Sequence, residues 1–115
     1  MKLLALALLA MSTGACVETN TVFGSWSDDE HRAGSCHSGL FAADAHVEVF
    51  DGLTLVASDD FDCDDLGFSL EIPLDVTAIN VTAEDAWGGH WDHEYDVDGN
   101  VSVGTVYFAQ DTQPD

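Results

Sequence analysis

Positive charge is almost missing from this chain. Lys2 and Arg32 are its only basic side chains, against 22 aspartates and glutamates, and the formal net charge is −20. A surface of that sign repels nucleic acid and anionic lipid headgroups, which makes both poor partners. It suits divalent cations, basic partners or a salty medium that screens self-repulsion. Nucleophile elbows, phosphate loops and carboxylate pairs with an obvious cleft are missing too, so the sequence points to no enzyme. What is present in quantity is apolar: 46% of the 115 residues, too much for a disordered acidic tail and enough for one folded domain.

The longest apolar run, residues 3–11, is too short to cross a bilayer as a helix. Met1 and Lys2 make a short positive start before it, and Ser12, Thr13, Gly14 and Ala15 supply small residues after it. This reads as a cleaved signal peptide over residues 1–15 rather than a membrane anchor or a buried N-terminal helix. Loss of Lys2 leaves Arg32 as the one base and a side-chain charge of about −21. Thr13-Gly14-Ala15-Cys16 resembles the lipobox of bacterial lipoproteins, with Thr13 where that family prefers Leu. The resemblance implies a diacylated Cys16 as the new N-terminus and membrane attachment through that lipid. Residues 16–20 then form the tether, and Val17 in place of Asp favours the outer membrane. Ordinary signal peptidase cleavage before Cys16 also fits, because Thr13 and Ala15 are both small.

Three cysteines in an exported chain leave one odd. If Cys16 carries lipid, Cys36 and Cys63 remain to pair in an oxidising compartment. Closing a loop of about 28 residues would stabilise the fold by roughly 3–4 kcal/mol. The competing reading joins His31, Cys36, His37 and Cys63 in a metal site, although paired ligand knuckles are lacking.

Residues 45–84 carry the clearest structure. Segments 45–50, 53–58, 68–72 and 79–83 alternate apolar and polar, are rich in β-branched residues, and are separated by Asp51-Gly52, the acidic stretch 59–67 and Pro73. Such patterning predicts an all-β domain, a single small Greek-key β-sandwich over residues 21–110. A weaker strand over 21–26 reads as an edge, with Trp26 in the core or as a lid. Residues 27–38 read as a polar loop pinned at Cys36. Residues 90–96 and 101–108 read as strands joined by a hairpin through Asp98-Gly99. Residues 109–115 read as a polar tail, disordered from 111.

Two acidic stretches raise the question of metal. Asp59, Asp60, Asp62, Asp64 and Asp65 surround Cys63, and they suit either a calcium loop or a solvated turn that keeps an edge from pairing. Further on, Glu94, Asp96, Asp98, Gly99, Val101 and Thr105 resemble an EF-hand calcium loop at its oxygen ligands, central glycine and apolar eighth position. Glu94 replaces the usual first Asp, Thr105 stands where a bidentate Glu is needed, and the flanks alternate as strands. His90, Asp92, Glu94 and Asp96 would share one strand face, with Trp91, His93 and Tyr95 on the other. A weak calcium site from Glu94, Asp96, Asp98, Asp92 and His90 is therefore an alternative to a plain hairpin, and so is a zinc or copper site from His90 with Asp92 or His93, although His90 and His93 would point to opposite faces.

Ala45-His46-Val47-Glu48-Val49, Gly67-Phe68-Ser69-Leu70-Glu71-Ile72-Pro73, Val81-Thr82-Ala83 and the stretch from Gly99 to Phe108 resemble the carboxypeptidase regulatory-like (prealbumin-like) β-sandwich. The resemblance implies a small non-catalytic accessory or adhesion module and brings no active site. The sequence as a whole leads to an exported, lipid-anchored envelope protein at the periplasmic or cell surface, with an envelope protein as its partner. The alternative is an acidic exported protein that binds or stores calcium or another metal.

Overall fold

In a computed structural model of the chain, residues 18–29, 31–38 and 44–110 are described. The signal segment, Cys16, Val17 and the tail from 111 lie outside them. The described residues form eight strands: β1 (Thr19–Ser25), β2 (Ala45–Asp51), β3 (Thr54–Phe61), β4 (Gly67–Pro73), β5 (Ala78–Asp85), β6 (Gly89–Asp96), β7 (Val101–Thr105) and β8 (Ala109–Gln110). One 3-10 turn, Cys63–Asp65, joins β3 to β4. No helix among the described residues is long and apolar enough to cross a membrane.

The strands form two sheets, β4-β1-β7 and β3-β2-β5-β6-β8. The chain leaves the larger sheet after β3, crosses to the smaller as β4, and returns as β5 beside β2. The alternation read in the sequence is what packs the two layers. Val47 and Val49 of β2, Ile79, Val81 and Ala83 of β5, Phe68, Leu70 and Ile72 of β4, and Val22 of β1 are all buried. Residues between them face water, so each strand is dry on one side and wet on the other. Full burial of each Val, Leu, Ile or Phe among them is worth about 1.5–3 kcal/mol.

The tight turn between β2 and β3 holds Gly52 at φ +64, as a primed two-residue hairpin requires at its first central position. Gly24 of β1 answers a different need: a Cβ there would run into the side chains of Val103 and Phe68, so glycine lets the layers close. Trp26 seals the same end of the core. Its ring stacks on Phe68 at 6.0 Å and meets Phe108 edge-on at 5.6 Å, while its indole N–H donates to the Cys63 carbonyl at 3.0 Å.

Five expectations need correction. Residues 21–26 were expected at an edge, but β1 is the centre of the smaller sheet, antiparallel to β4 and parallel to β7. Asp98-Gly99 does not close a hairpin: β6 stays in the larger sheet while β7 joins β1 in the other, because Val101 and Val103 cover the core from the opposite side. Asp59 and Asp60 belong to β3 rather than to a loop, since the start of β2 needs a partner along its length. Ala109 and Gln110 are not tail, for they pair with His90 and Gly89. The first strand also begins at Thr19, two residues inside the stretch assigned to the tether.

Cys36 and Cys63 form a disulfide, with both residues wholly buried. It joins the long segment between β1 and β2 to the 3-10 turn. Replacing both cysteines with alanine should lower the stability of the fold by roughly 3–4 kcal/mol. Urea unfolding of the two forms checks this; an unchanged midpoint would show that the segment is held by its other contacts alone.

Candidate functional site

Of the two acidic stretches, the one from His90 to Asp98 forms no cluster of three or more ligand atoms among the described residues. His90, Asp92, Glu94 and Asp96 stand along β6, and Asp98 lies in the turn that follows. The stretch from Glu94 to Thr105 is two strands and a turn rather than one loop. Glu94 pairs with Asn80 in the larger sheet and Thr105 with Ser25 in the smaller. Trp91, His93 and Tyr95 do share a face, as the alternation requires: Trp91 and His93 stack at 6.4 Å, and His93 and Tyr95 lie 4.9 Å apart. The Tyr95 hydroxyl reaches across the sandwich to the Val103 carbonyl at 3.3 Å, and burial pushes its phenol up.

Among the described residues, the one group of three or more metal-capable side chains with ligand atoms within 4.8 Å is Asp62, Asp64 and Asp65, all exposed. The 3-10 turn brings them together, because three residues per turn place near neighbours on one side. Asp65 raises the Asp62 carboxyl above its usual range, with desolvation and the charges of Asp44 and Asp64 acting the same way. The arrangement stores repulsion that a proton or a cation would relieve.

A second charged group lies on the outer face of the larger sheet. Pairing across β3, β2, β5 and β6 sets Asp60, His46, Glu84 and His90 in one row, with Ser58, Glu48, Thr82 and Asp92 in the next. The His46 ring is held from both sides, by Asp60 at 2.6 Å on Nδ1 and by Glu48 at 3.1 Å on Nε2. Sequence reading missed this pair. The two-residue turn alone would set His46 opposite Asp59, and a bulge at the Val49/Phe50 step shifts the register to Asp60.

The third arrangement is structural. Asp85, at the end of β5, is buried, and its carboxylate accepts the backbone N–H groups of Gly89 at 2.7 Å, Trp87 at 3.1 Å and His37 at 3.1 Å. The His37 ring also approaches it, at 3.4 Å, and stacks on Trp87 at 5.3 Å. Asp44 works similarly, accepting the Cys63 N–H on its side chain and the Ala86 N–H on its carbonyl. Asp85-Ala86-Trp87-Gly88-Gly89 carried the available signal, an aspartate two residues before a free N–H with glycines behind. The chain matches no protein-family model, and neither a characterised protein nor a solved structure shows significant similarity to it.

His46 gives a prediction with a definite sign. The hydrogen bond to Asp60 raises its pKa above the ordinary imidazole value; burial lowers it, and Glu48 raises it further. The folded protein therefore holds this proton more tightly than the unfolded chain does. The resulting stabilisation is complete below about pH 6.5 and is lost as pH rises through the raised folded value. NMR titration of the ring should place its midpoint above that of an unfolded control, and Asp60→Asn should bring it back down. A midpoint insensitive to Asp60→Asn would assign the shift elsewhere.

Proposed function

We propose that this chain is an exported, lipid-anchored protein of the cell envelope whose sandwich has a binding or structural role without catalysis. One observation carries most of the weight. The Cys36–Cys63 bond uses two of the three cysteines and leaves Cys16 single, at the end of an apolar start and a short run of small residues. Disulfides belong to oxidising compartments, so the bond and the signal-like start agree. The two or three acyl chains of a lipoprotein cysteine would anchor the chain stably, where one would bind only reversibly. The carboxypeptidase regulatory-like resemblance fits such an accessory module, since its quoted segments fall on β2, β4, β5 and β7. The outer membrane of a bacterium is the location this reading favours.

Cys16→Ser tests it directly. The variant should move from the membrane fraction to the soluble fraction, with the mature wild type retaining an acyl mass on Cys16. A Cys16→Ser protein still found in the membranes would defeat the reading.

A second reading, an acidic protein that takes up divalent cations, is favoured by the Asp62, Asp64 and Asp65 group. Hard cations take several carboxylate oxygens, and the group sits beside Cys63, whose carbonyl holds Trp26. Calcium titration should then change Trp26 emission and raise the melting temperature. No response at millimolar calcium, a concentration range of weak extracellular sites, removes this reading.

A further inference from the structure

The two ends of the sandwich differ. At one end β1 begins at Thr19 opposite Pro73, β2 gives way to β3 through Gly52 and Leu53, β5 begins at Ala78 opposite Asp96, and β7 begins opposite Val22. The turns 52–53, 74–77 and 97–100 gather there, around Glu18, the first described residue of the N-terminal segment. The disulfide, the 3-10 turn and the turn 86–88 occupy the other end.

At the first end leucines stand in water. Leu53 is fully exposed at 101%, and Leu55 and Leu74 are each 48% exposed. Leu53 sits at the second central position of a tight hairpin turn, where small polar residues are the ordinary choice. None of the described residues covers it. Cys16 precedes Glu18 by only two residues, so a lipid on that cysteine would hold this end, and not the other, against a bilayer.

We propose that Leu53, Leu55 and Leu74 form a lipid-docking edge that seats the sandwich end-on upon the bilayer to which Cys16 tethers it; the inference rests on the lipid-anchor reading. Free in solution, three leucines bind a membrane weakly, since apolar insertion scales with the area buried. A tether two residues away makes the contact intramolecular and raises its occupancy without any new interaction. Charge chooses the lipid. Glu18, Asp51, Asp75, Asp96 and Asp98 lie at the same end, and anionic headgroups would repel them. The edge therefore suits a zwitterionic surface and is driven off an anionic one at low salt. Trp26 and Trp87 lie at the opposite end, and Trp91 pairs with Ala83 toward it, so the native tryptophans stay clear of the lipid.

The test uses the full chain, purified from membranes with its acyl chains and reconstituted into phosphatidylcholine vesicles. Leu53→Trp, at a fully exposed site, adds a reporter without disturbing the core. Its emission should shift to the blue and be quenched by phosphatidylcholine brominated on its acyl chains, while the wild-type tryptophans are not quenched. Replacing the lipid with phosphatidylglycerol at low salt should abolish the quenching. An acylated Leu53→Trp protein that is neither shifted nor quenched overturns the docking edge and leaves the anchor standing. Absence of acyl mass on Cys16 brings down both. A blue shift that grows with protein concentration but not with brominated lipid overturns the proposal in favour of a second copy of the chain.

Discussion

Two sheets are held face to face by apolar side chains while almost every charge on the molecule pushes outward. Val22, Val47, Val49, Val81 and Ile72 have no exposed surface at all, and a net charge of −20 is arranged around them. These opposing demands explain the regularity of the strands. A carboxylate can sit at every second position because the pleat turns it to water, and a single slip of register would bury a row of them. At physiological ionic strength screening acts beyond about 8 Å, so neighbouring carboxylates on one sheet face still feel each other. The His46 ring between Asp60 and Glu48 shows how the surface can lower that cost locally, since once protonated it sets one cation between two anions.

Where the core runs out, other bonds replace it. The described residues 27–29 and 31–38 between β1 and β2 include few apolar ones, and they are held by the Cys36–Cys63 bond and by carboxylates used as backbone acceptors. Asp85 collects three N–H groups from two stretches of chain, and Asp44 links the 3-10 turn to the turn after β5. An ionised carboxylate is a strong acceptor, so a buried one is stable where several N–H groups converge. In a chain this rich in acid, the same residue type that strains the surface serves inside as a clip.

The strands with strict alternation were legible in the sequence because periodicity of two reports burial on one side, and β2, β4 and β5 have it throughout. The disulfide was legible for a different reason, the arithmetic of three cysteines. What alternation cannot report is which sheet a strand joins. Val101 and Val103 look the same whether they continue a hairpin or cross the sandwich, and Asp98-Gly99 favours a turn in either case. The crossing is decided by β1, whose open side needs a partner, and that is a long-range matter. Likewise the Asp60–His46 contact depends on one bulge, an irregularity with no local sequence mark. Residues 59–60 read as loop for their charge, yet pairing with β2 outweighs the poor strand propensity of aspartate.

The proposed lipid anchor on Cys16 would give these features a common direction. A strand of seven residues such as β1 spans roughly 23 Å, so the disulfide end stands that far from Thr19. Trp87, Tyr107 and Leu66, the exposed apolar residues of the disulfide end, would then face away from the membrane, beside the rigid network of Asp85, Asp44 and the disulfide. The end near the chain start has no comparable network. It has one hairpin turn, two crossover turns and exposed leucines, which suit a lipid surface better than a shaped partner. A cross-linked end opposite an end with exposed leucines is the division expected of a module that the proposed anchor would hold at one end so that it presents the other.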